Sequence, residues 1–336
     1  MAGRIVCFGE LLLRLTAPGR ERLLQTPRLD VHVGGAEANV AVGLARLGHD
    51  CRMVSRVPAN ALGEAATGYL RRHGVDATGV SEGEGRMGLY FLSPGAGLRA
   101  SEIVYDREGS SFAQAGPEDF DWDSLLDGAD LLHLSGITPA LGRLSADTAL
   151  AAAAAARAKG VKVSFDGNYR AQLWQRWPSD PRAILTEMVT QADILFGNHR
   201  DISLLLGAQF GGEGEGRRRE AAEAAFAAFP NLELIASTAR HVVDADTHRL
   251  SARIDSRDRE AQSEEITIAG IVDRIGAGDA FAAGVLHGLQ LGRDPDSTAR
   301  SGLALAALKH SLPGDAALFA PADVEAFLSG ELDVRR

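Results

Sequence analysis

Lysine is scarce in this sequence. Only three of its 336 residues are lysines, Lys159, Lys162 and Lys309, and none of them follows a glycine. This excludes the Gly-Lys phosphate loop of many nucleotide-binding proteins and the protein-kinase signature with its strand lysine. Cysteine is equally scarce, because Cys7 and Cys51 are the only two. A disulfide scaffold is therefore not supported, and the zinc patterns His-Glu-x-x-His and paired Cys-x-x-Cys are missing as well.

Long hydrophobic runs are also missing. The apolar run from Ile5 to Leu15 is interrupted by Glu10 and Arg14, which favours a first strand over a signal peptide. No stretch reaches the ~20 uncharged apolar residues of a membrane helix, so a cytoplasmic protein is the expectation. The net charge of −10 argues against nucleic acid or an anionic membrane as a partner. An anionic ligand therefore needs cations placed locally.

Glycine, by contrast, is abundant, with 38 residues and no visible repeat period. Strand-like apolar runs alternate with helix-like runs, which is typical of an α/β fold with a mostly parallel sheet and helices on both faces. The strand-like runs are residues 5–8, 51–57, 131–134, 161–165, 194–196 and 232–236, and the helix-like runs are residues 36–47, 62–73, 146–158, 184–191 and 218–229.

Two segments, about 12–33 and 87–112, do not follow this alternation of strand and helix. They carry period-two patterns such as Gly88-Leu89-Tyr90-Phe91-Leu92, separated by turn residues. We predict that they form a small antiparallel sheet projecting from the main domain. This sheet could be a lid over an active site or a dimer contact, and the two roles are compatible.

The stretch 268–290 carries the most chemical information. Gly276 and Gly278 permit a tight turn just before a helix predicted to begin near Asp279. Backbone N–H groups at such a turn, together with the helix dipole, form an anion hole. Asp279 could accept a proton from a hydroxyl that attacks phosphorus, or it could simply cap the helix. A dinucleotide fingerprint is disfavoured, because its third glycine would fall at Phe281.

A second glycine turn precedes another predicted helix. Gly34 and Gly35 would let a ligand approach the backbone closely, and Asn39 offers donors and an acceptor to hydroxyl groups. Ordinary turn and cap chemistry explains the same residues.

The two glycine turns together carry a resemblance to a known family. Residues 34–41 with residues 44–48 resemble the first signature of the ribokinase, or PfkB, family of carbohydrate kinases, and residues 273–281 resemble the second. The resemblance implies one three-layer α/β/α domain over residues 1–336 with a β lid, and it implies ATP and Mg²⁺ as cofactors. It further implies that Asp279 is the base and that Gly276, Ala277 and Gly278 form the anion hole.

Within the family, the chain is most similar to 2-keto-3-deoxygluconate kinases. The matching segments are residues 88–91, 104–111, 165–170 and 308–315. Such a substrate carries a carboxylate, which a guanidinium can hold through two hydrogen bonds. Lid tyrosines that only pack and arginines that are only solvated are the alternatives. The residues implied in sugar binding are Gly34, Gly35, Asn39, Tyr90, Tyr105, Arg107, Arg170 and Asp315.

The segments implied in nucleotide binding depart most from the sequence pattern of the family. The resemblance assigns Asn198, Ser237, Thr238 and His310 to the nucleotide, together with Gly276 and Gly278. Asn198 and Asp201 would meet Mg²⁺ through water, although the family commonly has Glu at the second position. Residues 239–241 read Ala-Arg-His where a Lys-x-Gly type loop is common, and residue 167 is Gly where Pro is frequent. The arginine run 217–219 is interpreted as a solvated helix start.

These observations favour an ATP-dependent kinase that phosphorylates the terminal hydroxyl of a sugar acid. A kinase for a neutral sugar such as fructose or ribose, or for a nucleoside, is the first alternative. A non-catalytic sugar-binding regulator is the alternative from another class. Exposed lid strands also predict a homodimer formed through the lid, because an open sheet edge invites pairing.

Overall fold

The computed structural model describes residues 3–211 and 214–330, which form alternating strands and helices. The strands are β1 (Arg4–Phe8), β2 (Leu12–Thr16), β3 (Asp30–Gly34), β4 (Cys51–Pro58), β5 (Asp76–Gly83), β6 (Gly88–Ser93), β7 (Glu102–Asp106), β8 (Ala129–Ser135), β9 (Lys162–Asp166), β10 (Ile194–Phe196), β11 (Leu234–Val242), β12 (Thr247–Ser256), β13 (Glu260–Gln262) and β14 (Ile266–Ala269). The helices are α1 (Ala36–Arg46), α2 (Ala61–Arg72), α3 (Trp122–Leu125), α4 (Arg143–Ala158), α5 (Ala171–Trp174), α6 (Pro181–Gln191), α7 (His199–Leu206), α8 (Gly214–Ala228), α9 (Ala277–Gln290), α10 (Pro295–Lys309) and α11 (Pro321–Ser329).

A ten-stranded sheet forms the middle layer, in the order β13-β12-β11-β10-β9-β8-β1-β4-β5, with β14 also paired to β12. The strands from β5 to β11 in this order run parallel, and β12, β13 and β14 add an antiparallel edge. The mostly parallel α/β fold predicted from the sequence is confirmed. The predicted strand 232–236 begins at Leu234 instead and extends to Val242, because it forms a hairpin with β12.

Two hydrophobic cores lie on opposite faces of this sheet. Along β1, Ile5 and Cys7 belong to one core, whereas Val6 and Phe8 belong to the other. Successive side chains of a strand point to opposite faces, so a strand buried on both faces reads as a continuous apolar run. Helices α1, α9 and α10 supply the first core, and α4, α6 and α8 supply the second. The result is the predicted α/β/α layering.

The two segments 12–33 and 87–112 do form a separate small sheet. It has four strands in the order β3-β2-β6-β7. The prediction of a purely antiparallel sheet is wrong, because the central strands β2 and β6 run parallel. The two outer pairs are antiparallel. Strands β2 and β6 come from segments far apart in the chain, so no tight turn joins them and no hairpin imposes an antiparallel direction.

Helices α1 and α9 are joined at two levels. At one, the Asn39 Nδ2 atom donates to the Asp279 Oδ2 atom at 2.6 Å. At the other, just beyond the end of α1, the ring nitrogens of His49 and His287 lie 2.8 Å apart. Between these levels, a Cβ atom added to Gly43 would lie 3.0 Å from the Ala283 Cβ, so the helices pack closely there. Within the described residues, no helix has both the length and the apolar character needed to cross a membrane.

Candidate active site

A cavity with a volume of about 770 Å³ opens at the carboxyl ends of the parallel strands, between the large sheet and the small sheet. Ligands of open α/β sheets bind at this edge. Most residues predicted for the site line the cavity, namely Gly35, Asn39, Tyr90, Tyr105, Arg107, Arg170, Asn198, Thr238, Gly276, Ala277, Gly278, Asp279, His310 and Asp315. Gly34, Ser237 and Asp201 do not line it.

The turn before α9 depends on a glycine without a side chain. Gly276 has a φ of 79°, and an added Cβ atom would lie 1.7 Å from the Asp315 carbonyl oxygen. Helix α9 begins at Ala277, two residues before the predicted start. The Ala277 N–H already donates to the Arg274 carbonyl oxygen at 3.3 Å. Its amide is therefore less available to an anion than the predicted anion hole assumed.

Asp279 lies in the first turn of α9, half-buried at the cavity wall. Burial raises its pKa to about 8. The hydrogen bond from Asn39 opposes this shift, whereas the nearby carboxyl groups of Asp166, Asp315 and Glu37 reinforce it. A raised pKa makes the ionised carboxylate a stronger base, so its deprotonated form takes a proton from a hydroxyl more readily than an ordinary carboxylate does.

The turn at Gly34 and Gly35 lets neighbouring groups approach the backbone closely. A Cβ atom added to Gly34 would lie 2.4 Å from the Asp315 Oδ2 atom, so this glycine makes room for Asp315 without reaching the cavity itself. Gly35 has a φ of 136°, and its added Cβ would lie 2.2 Å from the Glu10 carbonyl oxygen. The turn predicted from the sequence therefore has a steric cause at both positions.

Asp315 belongs to a buried network that joins the small sheet to the body. Its Oδ2 atom accepts from the Tyr90 hydroxyl at 2.6 Å, and its Oδ1 atom lies 2.9 Å from the Arg14 Nη1 atom. Arg14 also donates to Asp273 at 2.5 Å. Burial opposes the charge of Arg14, but Asp315 and Asp273 outweigh it and raise the pKa of Arg14. The sequence analysis did not assign Arg14 to the site, although a charge inside an apolar strand was the available signal.

Arg107, the lid arginine predicted to bind the substrate, lies in a buried ion pair. It is 4% exposed, and its Nε atom donates to the buried carboxylate of Glu10. The Ser110 hydroxyl donates to the other oxygen of the same carboxylate. Arg107 borders the cavity, but part of its guanidinium is already held by an internal ion pair.

Arg170 keeps its guanidinium available to a ligand. It follows β9 and faces the cavity, and the only hydrogen bond described for its side chain goes to the Tyr169 carbonyl oxygen at 3.1 Å. Tyr105 lines the same region, with its ring centroid 6.3 Å from that of Tyr90. The two lid tyrosines thus pack near each other and also face the cavity.

Only some of the residues predicted to bind the nucleotide line the cavity. Ser237 is buried and does not line the cavity, whereas its neighbour Thr238 does, because successive residues of β11 point to opposite faces. His310 lines the cavity, and its Nδ1 atom lies 2.7 Å from the Ala306 carbonyl oxygen. Its Nε2 atom is buried and has no partner among the described residues.

The predicted magnesium residues are used to cap a helix. The Asn198 Oδ1 atom accepts from the Arg200 N–H, and the Asp201 Oδ2 atom accepts from the Asn198 N–H, each at 2.8 Å. This pairing is the capping box that begins α7. Asn198 still lines the cavity, but Asp201 does not. Within residues 3–211 and 214–330, no group of three or more His, Cys, Asp or Glu side chains could hold a metal ion.

The structure adds several arginines that the sequence analysis did not place in the site. Helix α8 begins at Gly214 rather than near residue 218, so Arg217 and Arg218 lie in its first turns and line the cavity. The interpretation of that run as merely solvated is wrong for these two residues. Arg200, Arg240 and Arg274 also line the cavity. The departure from the family pattern at residues 239–241 was the available signal for Arg240.

Comparison with known proteins gives matches over nearly the whole chain. A family model described as pfkB family carbohydrate kinase matches residues 2–322. A 2-dehydro-3-deoxygalactonokinase from Haloferax volcanii is 32% identical over 330 residues, which cover 98% of each chain. The crystal structure of a 2-dehydro-3-deoxygluconokinase from Thermotoga maritima has a TM-score of 0.93 at 38% identity, covering 97% of this chain and 98% of that one.

A crystal structure of a PfkB family carbohydrate kinase from Listeria grayi is similarly close, with a TM-score of 0.91 at 38% identity over 97% of this chain and 99% of that one. The similarity therefore extends over both the large sheet and the small sheet. Sequence, fold and cavity lead to one conclusion, that the chain belongs to the PfkB family of carbohydrate kinases and is a sugar kinase.

Proposed function

We propose that this protein transfers the γ-phosphoryl group of ATP to the terminal hydroxyl of 2-keto-3-deoxygluconate, the compound also called 2-dehydro-3-deoxygluconate. The observation that carries the proposal is the placement of Asp279 inside the cavity, directly after the glycine turn and hydrogen-bonded to Asn39. A carboxylate beside an anion hole would repel a resting phosphate unless it has a task of its own. Taking the proton of the attacking hydroxyl is such a task.

The reaction follows from these positions. The terminal hydroxyl oxygen attacks the γ-phosphorus, and a new P–O bond forms while the bond to the bridging oxygen of ADP breaks. The hydroxyl proton passes to an Asp279 carboxylate oxygen. The Gly276 and Gly278 region and the positive end of α9 stabilise the charge on the transferring group. Closure of the small sheet over the cavity would exclude water and limit hydrolysis of ATP.

The acceptor would lie between the small sheet and α9. The Arg170 side chain faces the cavity, where its Nη1 atom donates to the Tyr169 carbonyl oxygen, and it can hold the carboxylate of the sugar acid. Asp315 and Tyr90, already hydrogen-bonded to each other, can contact substrate hydroxyls. The names of the two relatives, both kinases of 2-keto-3-deoxy sugar acids, support this class of acceptor.

The described residues do not form a magnesium-binding set, because Asn198 and Asp201 are engaged in capping α7. Mg²⁺ would enter with ATP, coordinated chiefly by phosphate oxygens and water, and would neutralise phosphate charge.

The decisive experiment measures ADP release with Mg-ATP across a panel of acceptors. The panel holds 2-keto-3-deoxygluconate, its C4 epimer 2-keto-3-deoxygalactonate, gluconate, fructose, ribose and adenosine. We expect turnover confined to the two keto-deoxy acids. We expect a loss of at least about a thousandfold in kcat for Asp279→Asn, and a raised KM for the acid in Arg170→Gln. Arg249→Gln, on the exposed side of β12, is the matched control and should behave as wild type.

Each other result would change the conclusion. Turnover of fructose, ribose or adenosine would retain the kinase chemistry and contradict the role of Arg170. Preference for the galactonate epimer would favour the activity for which the Haloferax relative is named. Tight binding of a sugar without turnover of any acceptor would favour a non-catalytic regulator.

A further inference from the structure

Two arginines stand beside the anion hole in the nucleotide half of the cavity. Arg274 comes two residues before Gly276, and Arg240 lies on β11, two residues after Thr238. Both line the cavity with Gly276 and Asp279. They come from opposite ends of the segment that joins β11 to α9, and the fold brings them to one wall.

Neither guanidinium has a partner in the part of the chain that the structure describes, since no hydrogen bond or ion pair involves the side chain of Arg240 or Arg274. Arg240 keeps solvent access through the cavity, but the surrounding protein desolvates it and Arg274 and Arg170 add like charge, so its pKa is lowered. Burial and the charge of Arg170 likewise lower the pKa of Arg274, and they outweigh the opposing effects of Asp273 and Tyr105.

The buried arginines of the described residues differ from exposed Arg240 and half-buried Arg274, because each has a carboxylate partner. Arg14 contacts Asp273 and Asp315, Arg107 contacts Glu10, and Arg253 contacts Asp255. A partly desolvated guanidinium without an ion-pair partner is less stable than a paired one, and a bound anion would supply the missing partner. Two such cations on one wall, repelling each other, form a site that an anion with several charges would stabilise.

Lysine cannot supply this charge. Within the described residues, the Nζ atom of Lys159 pairs with Asp123 at 3.0 Å and that of Lys162 with Glu233 at 2.5 Å. Lys309 is buried, and its Nζ atom donates to the carbonyl oxygens of Asp273 and Leu312. All three lysines of the sequence are therefore engaged, so the cations available to a polyphosphate at this wall are arginines.

We propose that Arg240 and Arg274 bind the phosphate chain of the donor. Arg274, beside the glycine turn, contacts the phosphoryl group that is transferred, and Arg240 contacts the phosphates that stay with the leaving nucleotide. The inference rests on the proposed function for the identity of the donor. The anion site itself rests only on the cavity and on the two unpaired guanidinium groups.

Binding of inorganic tripolyphosphate, measured by isothermal titration calorimetry on the full chain without acceptor, tests the site directly. We expect Arg240→Gln and Arg274→Gln each to weaken binding by about tenfold or more, and the matched control Arg249→Gln to stay within about twofold of wild type. Arg→Lys at either position should restore part of the affinity, because lysine keeps the charge but loses the two-bond geometry.

Two further readouts separate binding from mere structural support. Without ligand, both Gln variants should melt at or above the wild-type Tm, because each removes like-charge repulsion. With ATP and acceptor, Arg274→Gln should mainly lower kcat, whereas Arg240→Gln should mainly raise the KM for ATP.

Unchanged tripolyphosphate affinity in both Gln variants would overturn the proposal, as would a lowered Tm in both variants with affinity equal to wild type. The wild-type acceptor panel distinguishes this failure from failure of the proposed function. Turnover of the keto-deoxy acids with unchanged variant affinity would reject only the arginine site. Weakened affinity in the variants without turnover of any acceptor would retain the anion site and reject the sugar-acid kinase.

Discussion

Asp279 gives the folded protein a stability cost that depends on pH. Its ordinary pKa is 3.8, and burial raises the pKa to about 8 in the folded state. Between about pH 4 and pH 8 the folded protein thus keeps a proton that the unfolded chain releases. The contribution of Asp279 to the free energy of unfolding therefore falls as pH rises through that window, and the loss is complete above about pH 8.

We predict that Asp279→Asn removes this dependence. In urea unfolding at pH 5, 7 and 9, the free energy of unfolding of the variant should increase relative to that of wild type as pH rises, by on the order of 1–3 kcal/mol at pH 9. Asp127→Asn, an exposed carboxylate before β8, is the control and should follow the wild-type slope. Parallel curves for Asp279→Asn and wild type would contradict the raised pKa.

The same carboxyl group should govern the pH dependence of catalysis. Only its deprotonated form can accept the hydroxyl proton, so kcat/KM should rise with pH and level off above about 8. The measurement is kcat/KM for the keto-deoxy acid from pH 5.5 to 9.5 at saturating Mg-ATP. A profile that is flat between pH 6 and 8 would show that another group is the base or that Asp279 is already ionised.

At the scale of the element, α9 has a glycine with positive φ at each end. Gly276 at the start has a φ of 79° and no room for a Cβ atom, whereas Gly292 after the end has a φ of 66° and open space around it. The two positions thus separate the cost of the backbone conformation from the cost of steric overlap.

We predict a loss of about 1 kcal/mol for Gly292→Ala and at least about twice that for Gly276→Ala. Gly276→Ala should also lower kcat strongly, because the overlap is with the carbonyl of Asp315. Guanidinium unfolding and steady-state kinetics of both variants provide the comparison. Equal losses of stability would mean that the Gly276 turn relaxes easily around a side chain.

The small sheet is tied to the body through Arg14 on β2. Because this arginine is 1% exposed and contacts Asp273 and Asp315, its removal leaves the buried carboxylate of Asp315 and the half-buried carboxylate of Asp273 without their cation. We predict that Arg14→Met lowers stability by about 3–5 kcal/mol and raises the KM for the sugar acid. Arg28→Met, at an exposed position between β2 and β3, should change both by little in the same assays. A stability loss below about 1 kcal/mol for Arg14→Met would show that the network is dispensable.

At the scale of the whole molecule, the outer face of the small sheet exposes apolar side chains. Val31 on β3 is 57% exposed and Val104 on β7 is 47% exposed, and both strands are edges of the sheet. We predict a homodimer through this sheet, with twice the chain mass in light scattering. Val31→Lys combined with Val104→Lys should give a monomer. A monomeric mass for the wild type would refute the prediction.

Much of the fold was predictable because its strands are buried on both faces. Runs such as Ile5–Phe8 need no partner information to be read as strands, and they are confirmed. The edge strands β12, β13 and β14 carry mixed polar and apolar residues, so no apolar run marked them. The parallel β2–β6 pair was also not predictable, because its register depends on contacts between distant segments.

The candidate site likewise has parts that were predictable from the sequence and parts that were not. The glycine turns were predictable because their chemistry is local, within a few residues of Gly35 and Gly276. The roles of the arginines were not predictable, because the sequence does not distinguish an arginine on the surface from one that lines the cavity. Within one run, Arg218 lines the cavity, whereas Arg219 pairs with Asp255 on β12, and only the fold distinguishes them.

The paired helices α1 and α9 have a consequence for how Asn39 meets Asp279. The second contact joins His49, three residues beyond the end of α1, to His287, eight residues further along α9 than Asp279. A slide of one helix along the other by one turn, about 5.4 Å, would break both contacts together. The axial alignment of Asn39 with Asp279 is thus fixed at two points about two turns apart, so a substitution at either histidine should loosen the Asn39–Asp279 contact from a distance.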